Sequence, residues 1–485
     1  MKSYLLLLKF TIFYSYLYSQ TFNLTVENGY GDGLYKAGDT VHIWSQEWSA
    51  ASTFSHWSGD TTFLFMPDEW RTQVIMPARN ITVKANIQVL PTGTANYFNF
   101  NQIRGKNIIK PVYYYFPANG NTEAVVWLWH GTGGNAQNWI WKNFQMRQFC
   151  NYLVANNFAI IVTESDESTL NRDMTGDGYI RYDYSADTIN NADVANVRAI
   201  RDTFINRGFM SRATPQVAVG FSAGGAFSVT IATFLNWKAA ITHNNQGSGY
   251  ARITSVPVAF SMTQRDAHPD VGMEGNQEAF ENYQFFLNKN QCTAFYLVRP
   301  SPIYPQRFKR IPGISEVKSN AIYNELVANN CVAPNNYLTK APAEIEQLVI
   351  ANPQKWVNVV TLSDTLRDFV LNEIEVTWSS HAFSHDFMAK DVKFIKSLCN
   401  NTTVNVNNSL ESEPLTIFPN PANDKIYLSK PAETVRILDL QGKIILQKQL
   451  NGATEVEVSH VTSGLYILEL INKGQRHVVK WVKLE

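Results

Sequence analysis

The stretch Gly220-Phe221-Ser222-Ala223-Gly224 decides the fold of the largest part of this 485-residue chain. It follows the apolar run Val217-Ala218-Val219, which predicts a buried strand, and it precedes residues 226–235, which predict a helix. A serine among small residues between a strand and a helix is typical of a sharp turn that exposes its hydroxyl above a parallel sheet. Ser222 is therefore a candidate nucleophile. The alternative interpretation is a glycine-rich turn with a solvated serine.

Strand and helix signals alternate around this turn, from residue 96 to residue 399. The predicted strands are residues 124–129, 158–162, 256–260 and 374–378, and a predicted helix covers 194–204. Alternation of this kind is typical of a mostly parallel sheet with helices on both faces. The sequence therefore predicts an α/β fold for this region.

A serine hydroxyl is a weak nucleophile, so its chemistry needs a base, which a carboxylate in turn orients. Asp266 lies in the short loop after the strand 256–260 and is the preferred acid. Asp270 is the alternative acid, and either residue could instead be a solvated loop aspartate.

Histidine suits the role of the base near neutral pH. His381 follows the predicted strand 374–378 and precedes a predicted helix that begins near Asp386, so it is the preferred base. His385, four residues later, stays open as the alternative.

The segment His130-Gly131-Thr132-Gly133-Gly134 follows the predicted strand 124–129 and is the candidate oxyanion loop. Attack on a carbonyl places negative charge on its oxygen, which two fixed backbone N–H groups can bind. We expect one donor from Ala223 and the other from Thr132, or from Gly133 if the loop is shifted. A tight structural turn is the alternative.

The order serine, aspartate, histidine is that of the α/β-hydrolases. The stretches 130–134, 193–194 and 220–225 resemble the esterase branch that includes polyhydroxyalkanoate depolymerases, feruloyl esterases and polyester hydrolases. The resemblance implies an α/β-hydrolase fold and cleavage of carboxylic esters, of a polyester or of an aryl ester linked to plant polysaccharide. One departure is Thr263, which replaces the glycine of the family's Gly-x-x-Asp turn. No cofactor is expected.

About a hundred residues separate Asp266 from His381, more than one strand and one helix need. We predict a cap insertion at about 271–370 that shapes substrate choice. Two other functions remain open, a serine peptidase of the same fold and a non-catalytic surface adhesin.

The N-terminal region divides into two parts. Residues 1–20 predict a secretory signal peptide, with Lys2 before apolar residues and Ser19 at the cleavage side. Residues 21–90 predict a small all-β module, with strands at 41–44, 62–65 and 81–85. In residues 29–39, 54–60 and 76–83 this module resembles a β-repeat of bacterial surface proteins, which implies a spacer or adhesion unit.

Residues 400–414 are polar and predict a linker, and residues 415–485 again predict short strands. In residues 417–422, 435–443, 458–468 and 480–483 this tail resembles the C-terminal sorting domain of type IX secretion. The resemblance implies the secretion machinery as a partner and a location outside the cell or on its surface.

Lysine plus arginine and aspartate plus glutamate each number 41, so the charge balance does not favour a nucleic-acid partner. After the signal, no segment is apolar enough to span a bilayer, so no transmembrane anchor is expected after processing. The four cysteines allow three disulfide connectivities, of which Cys292–Cys331 with Cys150–Cys399 is preferred. No two cysteines have C-x-x-C spacing, so a zinc site is not expected.

Residues 173–184 resemble the start of a calcium loop. Asp173, Thr175 and Asp177 occupy the first, third and fifth positions, and Gly178 occupies the sixth. Tyr184 stands at the twelfth position, where a bidentate glutamate belongs. A plain loop rich in aspartate and glycine is the preferred interpretation, with calcium as the alternative.

Overall fold

The computed structural model of the protein describes residues 20–46, 51–94, 96–185 and 191–397, together with most of the strands of the C-terminal region between 417 and 483. The predicted signal peptide, apart from Gln20, and the predicted linker lie outside the described residues. Among the described residues, those before position 400 form one compact unit and those after it form a second.

The N-terminal module comprises two small sheets, ordered β3-β1-β7-β5 and β2-β4-β6. Leu24, Phe54, Trp57 and Val83 are buried in its core. In the described residues its strands are β1 (Thr21–Glu27), β2 (Gly29–Tyr30), β3 (Gly33–Lys36), β4 (Thr40–Ser45), β5 (Ser52–Gly59), β6 (Arg71–Ile75) and β7 (Ile81–Val89).

The strand predicted at 62–65 is wrong. Thr61–Phe63 form a turn of 3-10 helix, in which the N–H of Phe63 donates to the carbonyl of Asp60. Gly59 just before it has a φ of 89°, so the chain turns there and crosses from β5 towards β6. Only Leu64 makes a bridge, to Val74.

The central sheet has the order β15-β14-β13-β12-β10-β11-β9-β8. The six strands β11, β10, β12, β13, β14 and β15, in their order across the sheet, are parallel to one another. Strand β9 is antiparallel to both of its neighbours, β11 and β8. This arrangement is the α/β-hydrolase fold, so the predicted fold class is confirmed. The strands are β8 (Asn99–Arg104), β9 (Ile109–Tyr115), β10 (Val125–Trp129), β11 (Ala159–Val162), β12 (Gln216–Phe221), β13 (Ala239–His243), β14 (Val258–Thr263) and β15 (Thr293–Val298).

Apolar clusters cover both faces of this sheet. Val126 and Leu128 belong to one cluster, and Trp127 and Trp129 belong to the other, because successive side chains of β10 point to opposite faces. In the described residues the α-helices are α1 (Phe144–Ala155), α2 (Asp166–Leu170), α3 (Ala192–Asn206), α4 (Ala223–Leu235), α5 (Gly272–Asn288), α6 (Glu316–Ala328), α7 (Pro342–Ala351), α8 (Val357–Val360), α9 (Asp364–Trp378) and α10 (Met388–Ser397).

The helical insertion covers residues 299–378 rather than about 271–370, since α5 and β15 belong to the central fold. It contains α6 to α9, with a core of its own around Phe308, Ile322 and Trp356.

The strand predicted at 374–378 is wrong, because these residues are the last turn of α9. Ser363 caps this helix by accepting the N–H of Leu366, and the buried Val370 and Ile374 repeat at helical spacing.

The C-terminal unit is all-β, with sheets β16-β17-β20 and β19-β18-β21-β22 and a core that includes Val435, Leu468 and Trp481. In the described residues its strands are β16 (Ile417–Phe418), β17 (Lys425–Leu428), β18 (Thr434–Leu438), β19 (Ile444–Gln449), β20 (Glu455–Glu457), β21 (Gly464–Asn472) and β22 (Gln475–Lys483).

The preferred disulfide pairing is wrong. Cys292 is disulfide-bonded, whereas Cys331 and Cys150 are buried free thiols. Cys399 lies outside the described residues. No helix in the described part of the chain is both long and apolar enough to cross a membrane.

Candidate active site

Ser222 lies at the turn between β12 and α4, with a φ of 54° and a ψ of −123°. A non-glycine residue in this conformation is strained, and such strain is typical of a nucleophile at this position. A Cβ at Gly220 would overlap the carbonyl oxygen of Gly224, and a Cβ at Gly224 would overlap the carbonyl oxygen of Trp129. The sharp turn therefore needs both glycines.

The structure brings Ser222, Asp266 and His381 into one hydrogen-bonded chain. The Nε2 atom of His381 lies 2.9 Å from Oγ of Ser222, and its Nδ1 atom lies 2.7 Å from Oδ2 of Asp266. Asp266 is buried and also accepts the backbone N–H of His268 at 2.9 Å. This arrangement lets the imidazole take a proton from the serine while the carboxylate holds its other nitrogen.

The alternative acid and the alternative base lie elsewhere. Asp270 is exposed. His385 is fully buried, with Nδ1 on Oε1 of Gln145, and its Nε2 accepts from a guanidinium nitrogen of Arg310 at 2.8 Å. Burial, and then the nearby arginines, hold the pKa of His385 well below its usual value, so the ring is neutral.

The loop after β10 faces the serine. Gly131 approaches so closely that a Cβ there would lie 3.2 Å from the Cβ of Ser222. The N–H of Gly133 donates to the carbonyl of Ile180 at 2.8 Å, so Gly133 is not free to bind an oxyanion. Within the described residues, the N–H groups of Thr132 and Ala223 have no hydrogen-bond partner. These two are the available donors.

His130 anchors this loop, a role that the sequence analysis missed. Its Nδ1 donates to the carbonyl of Gly131 at 2.7 Å, and its Nε2 accepts the N–H of Ser165 at 3.1 Å. Burial lowers the pKa of His130 to about 4, which keeps one nitrogen as donor and the other as acceptor. A histidine between a buried strand and a glycine-rich loop was the signal for this role.

His268 is a second imidazole that the sequence analysis did not select. Its ring stacks on that of His381, with centroids 4.4 Å apart and planes inclined by 28°. His268 therefore forms part of the wall around the candidate base.

Asp193, in the second stretch of the esterase resemblance, is buried. Its carboxylate accepts the backbone N–H groups of Asp166 at 2.7 Å and Asp183 at 2.9 Å. Burial raises its pKa to about 7. Asp193 thus ties the start of α2 and the loop at Asp183 to α3.

The loop that resembles a calcium site uses its carboxylates within the protein. Asp173 accepts the N–H groups of Gly176 at 2.7 Å and Gly178 at 2.8 Å, and these bonds lower its pKa. Asp177 pairs with Arg181 at 2.7 Å. In the described residues no group of three or more acidic, histidine or cysteine side chains could hold a metal ion.

Comparison with solved structures finds remote likenesses to this chain. Esterase Est22 is 12% identical, with 47% of this chain and 80% of that chain covered and a TM-score of 0.29. The dienelactone hydrolase from Anabaena variabilis ATCC 29413 is 12% identical, with 50% of this chain and 100% of that chain covered and a TM-score of 0.33. An alpha-beta serine hydrolase homologue from Coxiella burnetii is 14% identical, with 42% of this chain and 88% of that chain covered and a TM-score of 0.31.

Likenesses with TM-scores of this size carry no argument about the fold. The strand order of the central sheet is what indicates the α/β-hydrolase fold. No curated protein matches the chain. Residues 416–484 match the family described as secretion system C-terminal sorting domain. The chain therefore joins a domain of the α/β-hydrolase fold to a C-terminal sorting domain of type IX secretion.

Proposed function

We propose that this protein is a secreted serine hydrolase that cleaves carboxylic esters through an acyl-enzyme on Ser222. The observation that carries the proposal is the contact of one imidazole, that of His381, with both Ser222 and Asp266. A conformationally strained serine at a strand-to-helix turn supports it.

In the proposed mechanism, Nε2 of His381 takes the proton of the Ser222 hydroxyl as Oγ attacks the ester carbonyl. Asp266 stabilises the imidazolium that forms, and the N–H groups of Thr132 and Ala223 bind the oxyanion. The imidazolium then protonates the departing alkoxide, which leaves the acyl group on Oγ. Water, deprotonated by the same imidazole, releases the acid and restores the serine.

The substrate proposed is an ester of a polyester or an aryl ester linked to a polysaccharide, as the resemblance of 130–134 and 220–225 implies. The sorting domain supports action outside the cell or on its surface, where such polymers are met. The proposed partners are the ester substrate and the type IX secretion machinery.

The test compares hydrolysis of a nitrophenyl ester with that of a peptide nitroanilide, using Ser222→Ala as the matched control. We expect turnover of the ester that disappears in the variant. Preference for the anilide would instead indicate a serine peptidase. Absence of turnover on both substrates would favour the non-catalytic adhesin.

A further inference from the structure

We infer that the N-terminal β-module positions the histidine of the active site. Residues 69–71, Glu69-Trp70-Arg71, contact the loop 379–387, which carries His381. We call residues 69–71 the clamp and residues 379–387 the histidine loop. The inference rests on the proposed function, because it assigns the module a part in that same chemistry. It adds to the spacer or adhesion role that the resemblance of the module implied.

The first contact of the clamp is an ion pair between Arg71 and Asp386. It joins residues 315 positions apart, and only 15% of the Arg71 side chain and 4% of the Asp386 side chain are exposed. Burial alone would raise the pKa of Asp386, but Arg71, with the neighbouring Arg307 and Arg310, holds that pKa below its usual value. Asp386 is thus a buried anion that depends on the clamp.

The second contact is a stack of Trp70 on His385, with ring centroids 5.1 Å apart and planes inclined by only 12°. The guanidinium of Arg310 lies 3.8 Å from the centroid of the Trp70 ring and donates to His385 at 2.8 Å. His385 is therefore held by the module, by the insertion and by Gln145 of α1. Because the His385 ring is neutral and both of its nitrogens are hydrogen-bonded, these contacts fix its orientation.

The third contact lies just beyond the histidine loop. The carboxyl group of Glu69 accepts the backbone N–H groups of Ala389 at 3.3 Å and Lys390 at 3.1 Å, and burial raises the pKa of this group to about 8. These N–H groups belong to the first turn of α10, where a helix leaves such donors unpaired. Glu69 thus fixes the start of the helix into which the histidine loop runs.

The other end of the histidine loop is attached to the central sheet. Oγ of Ser379 donates to the carbonyl of Val298 at 2.7 Å, and the N–H of Arg265 donates to the carbonyl of Ser379 at 2.9 Å. His381 therefore lies between an anchor on the sheet and an anchor on the module. The clamp supplies the second one.

Phe383 connects the clamp side of the loop to the reacting residues. Its ring packs 6.3 Å from that of Phe221, the neighbour of Ser222, and Phe221 in turn lies 5.2 Å from the ring of His381. A shift of residues 383–386 would therefore move the imidazole relative to the serine. Misplacement by about 1 Å can cost on the order of 10²-fold in rate.

The test uses the full chain with Arg71→Leu, with Arg71→Lys as the conservative variant. Arg79→Leu is the matched control, because Arg79 makes an ion pair with Asp60 in the same module, far more exposed than Arg71. We expect Arg71→Leu to lower kcat on a nitrophenyl ester by about 10- to 100-fold, with KM nearly unchanged. Arg71→Lys should restore most of kcat, and Arg79→Leu should match the wild-type chain.

A fluorophosphonate probe separates misplacement from unfolding. Misplacement of His381 slows labelling of Ser222 but leaves its final extent unchanged, whereas partial unfolding lowers the extent. If Arg71→Leu does not fold, the double variant Arg71→Leu/Asp386→Leu removes the unpaired buried charge and should still show slow, complete labelling.

Wild-type kcat and labelling rate in folded Arg71→Leu protein would overturn the inference and leave the proposed function intact. A reduced extent of labelling at an unchanged rate would also overturn it. A wild-type chain that neither turns over the ester nor labels would overturn the proposed function and this inference together.

Discussion

The Nε2 atom of His381 lies 2.9 Å from Oγ of Ser222, although 159 positions separate the two residues in sequence. Ser222 follows the strand β12, whereas His381 follows the helix α9, and the fold brings both to the carboxyl ends of the parallel strands. The same imidazole reaches Asp266, so a single side chain links the candidate nucleophile to the candidate acid.

Substituting His381 and His385 one at a time should distinguish the histidine that is needed for turnover from the histidine that is needed for stability. His381→Ala should lower kcat on a soluble ester by several orders of magnitude with little change in thermal unfolding, because His381 is partly exposed. His385→Ala should mainly lower the unfolding temperature, because it removes a fully buried ring that is bonded at both nitrogens. A loss of turnover in stable His385→Ala protein as large as that of His381→Ala would transfer the role of base to His385.

The variant Asp266→Asn tests the orientation of the imidazole. An amide in place of the carboxylate cannot stabilise the imidazolium and favours the wrong tautomer, so kcat should fall on the order of 10⁴-fold while KM changes little. The exposed Asp270 provides the control, since Asp270→Asn should keep wild-type turnover. The reverse ranking would make Asp270 the acid.

His42 predicts a specific dependence of stability on pH. Burial, and then the charge of Arg71, lower its pKa to about 3, below the usual 6.5. Since the folded-state pKa is depressed, the stability that neutral His42 contributes is complete above pH 6.5 and is lost as the pH falls towards 3. Between pH 7 and pH 5 the loss is about 2 kcal/mol.

The variant His42→Gln removes this titration. Relative to the wild-type chain, its free energy of unfolding should therefore rise by about 2 kcal/mol when denaturation is measured at pH 5 instead of pH 7. The same substitution at the exposed His56 is the control and should follow the wild-type chain. An equal difference at both pH values would show that His42 charges freely in the folded protein.

Removal of the tail tests the division of the chain into two units. A protein that ends near Asn401 lacks the second unit and the sorting domain. We expect it to be soluble and to keep full ester turnover in vitro, while the cell no longer exports it. An insoluble or inactive product would mean that the first unit depends on the tail for folding.

Local pattern explains why much of the α/β-hydrolase region was predictable. The turn at Ser222 needs glycine at 220 and 224, so the sequence marks it within five residues. Asp266 and His381 were selected from their order after Ser222 and from loops after predicted strands, and the structure places both in contact with each other. Their catalytic roles stay a prediction.

The errors occurred where short patterns are ambiguous or where contacts are distant. Five residues, 374–378, fit a strand as well as the end of a helix, and the deciding cap, Ser363, lies eleven positions earlier. The contacts of residues 69–71 with the histidine loop and with the start of α10 span more than 300 positions and leave no local signal. Likewise, cysteine spacing does not determine disulfide pairing, and Cys331 is a free thiol.

The most direct test of the central claim is to identify the residue that a fluorophosphonate probe modifies in the purified full-length chain. The proposed function predicts one adduct, on Ser222, that forms rapidly in the wild-type chain and very slowly in His381→Ala. Modification of another residue, or equal rates in the two proteins, would contradict the assignment of Ser222 as nucleophile and His381 as its base.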